Sequence, residues 1–164
     1  MLLKKILHDP KAKFSLAGLL VINIVGFYLI YSLTVSPNQI SGNGNLALLF
    51  MVPMTVIFMA LNIFLGIKAN HFLQRQSKLV TMLFITAMVA VFLVLLSAEI
   101  TFVNNLMDQL GGRPDNPESK IYRWGWLNQY TNSIYFNQFT FGMGLVASST
   151  VGAAIALLQR QKSN

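Results

Sequence analysis

The sequence predicts an all-α membrane protein, a bundle of four transmembrane helices with an interfacial amphipathic helix between the third and the fourth. Three observations predict it. Hydrophobic residues make up 54% of the chain and charged residues 10%, far from the balance of a soluble domain. Stretches of more than 20 residues carry no charge, whereas a soluble domain of 164 residues exposes much of its surface to water and needs polar groups to cover it. The basic residues flank these stretches instead of forming one stripe. That placement is what bilayer orientation requires, and it argues against reading the net charge of +7 as a nucleic-acid footprint. The length fits one domain over 1–164.

The first span is expected over 14–35, behind a basic leader that holds Lys4, Lys5, Lys11 and Lys13. Its apolar run exceeds the roughly 7–15 residues of a signal-peptide core and lacks a good cleavage motif before Pro37, so a retained helix is expected. Residues 36–45 are uncharged and rich in turn formers, which ends that helix. The second span, 46–67, contains Pro53, which removes one backbone hydrogen bond and favours a kink. Residues 68–78 carry Lys68, His71, Arg75 and Lys78 with no acid, the composition of a cytoplasmic connection. The third span, 79–103, holds a single charge, Glu99. A polar loop, 104–138, separates it from the fourth span, 139–158, and the chain closes on a tail with Arg160 and Lys162. At a rise of about 1.5 Å per residue these spans reach roughly 30–37 Å, enough for a hydrocarbon core ~30 Å thick. Nine of the twelve Lys and Arg fall in the leader, the 68–78 connection and the tail. Both termini are therefore expected on the cytoplasmic side, in a bacterial plasma membrane or a thylakoid membrane.

Within the outer loop, Asp115, Pro117 and Glu118 have the spacing of a capped helix start. Beyond them Tyr122, Trp126, Leu127, Tyr130 and Ile134 recur at helical spacing, with Asn128, Gln129, Thr131, Asn132 and Ser133 elsewhere on the wheel. This predicts the amphipathic helix lying on the outer face, broken at Gly125.

Several residues invite a functional reading. Glu99 is the one ionisable residue inside an apolar span, and an intramembrane charge is costly enough to mark function. Its distance from the inner end, about 30 Å, places it near the outer headgroups within reach of water or an Arg. It reads either as a structural hydrogen-bonding group or as a proton or cation handler. In the last span Gly144, Ser148, Gly152 and Ala156 repeat every four residues, a small-residue strip that lets helices approach closely, within this chain or against a partner. Asn23 and Asn62 read as interhelical hydrogen-bonding residues in preference to substrate ligands. The aromatics Tyr122, Trp124, Trp126 and Tyr130, followed by Tyr135, Phe136, Phe139 and Phe141, read as an interfacial belt or as a stacking platform for a sugar, quinone, pigment or lipid head.

Other chemistry is excluded or unsupported. The absence of cysteine removes disulfides, thiolate catalysis and cysteine-held iron–sulfur or zinc sites. His8 and His71 fall in the cytoplasmic segments, away from partners at metal spacing, which argues against haem or metal. No phosphate loop, nucleophile elbow or zinc-helix motif occurs, and Asp108, Asp115 and Glu118 read as ordinary loop charges. No cofactor is expected, although a bound lipid or pigment is compatible with the aromatics. These features rank a non-catalytic accessory, assembly or structural subunit of a larger membrane complex first, with membrane lipids and other integral membrane subunits as partners. A small homo-oligomeric transporter or channel using Glu99 is the alternative. An embedded enzyme acting on lipid or quinone at the outer face ranks third.

Overall fold

The computed structural model describes residues 10–40 and 44–161. Lys4, Lys5 and His8 of the leader, residues 41–43 of the first loop and Lys162 of the tail lie outside the described residues, as do the side chains of Lys11 and Lys13. The described chain is all-helical: α1 (Pro10–Leu33), α2 (Leu48–Leu73), α3 (Lys78–Gln109), the single-turn α4 (Asn132–Tyr135) and α5 (Gln138–Gln161). Four of these are long and apolar enough to cross a membrane.

Helix and apolar run do not end together. α2 continues through Lys68 and His71 to Leu73, which shortens the expected connection to 74–77, and α3 continues past Val103 to Gln109. Propagating a formed helix satisfies one more backbone pair per residue, so polar residues extend it beyond the apolar stretch. Local chemistry then sets the ends. Ser77 caps α3 by accepting from the Val80 amide at 3.2 Å. At its other end Gly112 N donates to Met107 O at 2.8 Å and Gly111 N to Asp108 O at 3.1 Å, with Gly111 at φ 79°. This is a Schellman closure, and its left-handed position suits glycine.

The helices pack in the order α1, α2, α5, α3, not in chain order, so α5 lies between α2 and α3 while α1 packs mainly on α2. The α2–α5 seam is the tightest. A Cβ on Gly152 would fall 2.2 Å from the Gly66 carbonyl oxygen, so the two backbones touch there. Around it, Leu73, Ala153 and Ala156 form one buried cluster. Nearer the long loop, Phe27, Ile30, Met51, Met54 and Phe136 form a second, in which the Phe27 ring lies 4.9 Å from both Phe58 and Phe136 and 5.1 Å from Phe141. By contrast α3 turns Leu83, Leu93 and Val94 outward, each more than half exposed.

The expected amphipathic helix is absent. Residues 110–131 form a succession of turns, and the only helix between α3 and α5 is the one turn of α4. Arg123 at φ 64° and Gly125 at φ 73° are left-handed, which stops an α-helix in the middle of the periodic stretch. The Asp115 to Glu118 start is replaced by a turn in which Asn116 Oδ1 accepts from Glu118 N at 3.1 Å. The expected polar and apolar faces are also partly inverted: Asn128, Gln129, Thr131, Asn132 and Ser133 are buried, while Trp126 and Leu127 of the apolar set are exposed and Tyr130 of that set is buried. Side-chain to backbone bonds drive that inversion. Thr131 Oγ1 donates to Trp126 O at 2.7 Å, and Asn128 donates to Gly125 O at 2.8 Å while accepting from Tyr130 N at 2.9 Å.

This loop is stitched to the segment between α1 and α2. Asn45 and Asn132 exchange two amide hydrogen bonds, 2.9 and 2.7 Å, Val35 N donates to Gln129 O at 2.9 Å, and the Tyr130 hydroxyl donates to Gln39 O at 3.1 Å. At the opposite end of the helices, the Arg160 guanidinium donates to the carbonyl of Leu73 and, at 3.3 Å, to the hydroxyl of Thr81. A cation thus closes the C-terminus of α2.

Candidate functional site

Glu99 is buried on α3, and its Oε2 accepts a 2.8 Å hydrogen bond from Asn137 Nδ2. Burial takes the place of the expected reach to water or an Arg: among the described residues the bond to this carboxyl group comes from the Asn137 amide. Asn137 is the N-cap of α5, where its Oδ1 accepts from Phe139 N at 2.7 Å and Thr140 N at 2.9 Å. Its second Nδ2 hydrogen goes to Ser133 O at 2.8 Å, and its backbone N donates to Thr140 Oγ1 at 3.0 Å. Asn137 thereby spends its amide on three elements at once. Glu99 Oε1 is buried and meets no hydrogen-bonding group among the described residues.

Two clefts open beside this pair. One, of about 350 Å³, lies between α1 and the start of α5, where Ile24, Phe27, Tyr28 and Phe141 supply apolar walls and Asn137 a polar corner. The other, of about 540 Å³, is bounded by the end of α1, by Phe102, Asn105, Leu106 and Gln109 of α3, and by Tyr130 and Ser133. Tyr31 lines both. Glu99 lines neither; Phe102 stands one turn beyond it on α3 and Asn137 between it and the first cleft.

The remaining sequence-singled residues separate. Gly144, Ser148, Gly152 and Ala156 face α2: a Cβ on Gly144 would meet Phe58, the Ser148 carbonyl lies 3.1 Å from a Cβ built on Gly66, and Ala156 is fully buried beside Leu73. Among the described residues Asn23 and Asn62 make no side-chain bond to another helix. Each donates 2.8 Å back to its own helix, to Leu19 O and Phe58 O, which meets the donor locally and leaves each Oδ1 buried without a partner. Of the aromatics, Tyr130 is buried, with its ring centroid 6.3 Å from that of Trp124, whereas Trp124 and Trp126 are exposed and Tyr122 lies under the Arg123 guanidinium at 5.0 Å. They do not form one platform.

Sequence reasoning missed Asn137, placed at the end of the loop. Its signal is local: an Asn directly before an apolar run, with Thr140 three residues on, has the pattern of a helix cap. No group of three or more His, Asp or Glu among the described residues is arranged to hold a metal ion. The class that fold and site define is an all-helical protein with four helices long and apolar enough to span a bilayer and one buried carboxyl group bonded to a helix cap. Set against known protein families, characterised proteins and solved structures, the chain matches none.

Proposed function

We propose that this protein is a four-span membrane protein acting as a non-catalytic accessory or structural subunit of a larger membrane complex. The observation that carries the reading is the use of Glu99: its one bonded oxygen holds the side chain that caps α5, so the costly buried acid is committed to joining α3 to α5. A transport role needs a polar route onward from that group. The seam beyond it argues against one, since α2 and α5 meet backbone to backbone at Gly66 and Gly152, and Ala153 and Ala156 are fully buried. The broad outward apolar surface of α3 gives the protein area for lipid or for another membrane subunit.

The charge bias supports termini on the cytoplasmic side and the stitched loop on the other. Purification of the protein from its native membrane in mild detergent tests the assignment. Co-migration with other integral subunits in fixed ratio is expected; a lone monomer or a closed homo-oligomer would contradict it.

A further inference from the structure

We propose that the two adjoining clefts form one binding site for a lipid with an uncharged, hydroxyl-bearing headgroup, its head in the cleft beside α3 and a chain in the cleft between α1 and α5. The clefts adjoin, because Tyr31 is a wall of both, and each volume is within the range of ligand pockets. Their chemistry divides along α1 in the order a lipid needs. The apolar walls come from Ile24, Phe27 and Tyr28 within α1, and the polar ones from Ser32 in its last turn and from Thr34 and Ser36 just beyond it. An amphiphile lying against α1 with its head at the loop end meets both.

The headgroup class follows from the lining. No Lys, Arg, Asp or Glu lines either cleft, and Lys120, at the rim, is turned onto the Pro37 carbonyl. A phosphate or carboxylate placed there would find no opposite charge in the lining. Hydroxyls are matched instead. The amides of Asn105 and Gln109 make no side-chain bond within the described residues, unlike those of Asn116, Asn128, Asn132 and Asn137, so each presents a donor and an acceptor. Phe102 and Tyr31 add apolar ring area to that lining for the C–H side of a sugar-like head.

The inference rests on the membrane reading above, and the test separates the two. The protein is incorporated into phosphatidylcholine vesicles doped with monoglucosyl-diacylglycerol or, at equal fraction, phosphatidylglycerol, then extracted gently for native mass spectrometry. One retained glucolipid per chain is expected, about ten-fold above either phospholipid at equal fraction. The double variant Asn105→Ala with Gln109→Ala should lower that retention about ten-fold, through two lost hydrogen bonds, with an unchanged melting profile because both side chains are exposed. Ile24→Trp, which fills the chain groove without touching the polar walls, should lower it too. Equal retention of all three lipids, preference for phosphatidylglycerol, or retention unaltered in both variants would overturn the lipid site and leave the membrane reading standing. Failure to enter vesicles would overturn the membrane reading and this site with it.

Discussion

At the scale of single residues, the molecule turns on side chains that each satisfy several backbone groups. Asn137 is the clearest. Replacing it by Ala removes the α5 cap and the donor to Glu99 together, and both groups are buried. A loss of roughly 2–4 kcal/mol is expected, combining a cap worth about 1 with a bond to a carboxyl group worth about 1.5–3. Thermal unfolding in detergent measures it, and a change below about 0.5 kcal/mol would show that the cap is dispensable. Arg160 plays the corresponding part at the other end. Arg160→Ala frees the Leu73 carbonyl and should cost about 1–2 kcal/mol, read from the same melts.

At the scale of elements, the α2–α5 seam decides how close the helices come. Gly152→Leu places a branched side chain where the Gly66 carbonyl stands, so the helices must part, at a cost of about 3 kcal/mol, the upper end of the usual range for overpacking. A variant as heat-resistant as the parent would contradict that packing. The seam was legible in advance as far as the strip Gly144, Ser148, Gly152 and Ala156, because a four-residue period puts small residues on one helix face whatever the partner. The partner was not: Gly66 on α2 is a single glycine in a long apolar helix and announces nothing by itself.

Helix existence was likewise legible from uncharged runs, but helix ends were not, since Lys68 or Asn104 leaves the apolar stretch without leaving the helix. The loop misled for a different reason. Aromatics three and four apart imitate a helical face, yet Arg123 and Gly125 take left-handed backbone and the Asn and Thr side chains bond inward. Spacing records where side chains fall only if the backbone is helical, and here local amide and hydroxyl bonds displace the helix.

At the scale of the whole molecule, orientation and role are each open to direct measurement. The chain has no native cysteine, so single replacements report directly. With both termini cytoplasmic, Ser77→Cys should resist an impermeant thiol reagent in intact cells and Asp115→Cys should react; the reverse pattern would invert the topology. Glu99 is proposed as a structural bond and not a transport group. Glu99→Gln tests it most directly, because it keeps an oxygen able to accept from Asn137 while removing the titratable charge. Parent and variant are compared for assembly on native gels and for flux in vesicles under an imposed proton or sodium gradient. Equal assembly and no gradient-dependent flux are expected from both; parental flux that vanishes in Glu99→Gln would overturn the structural role.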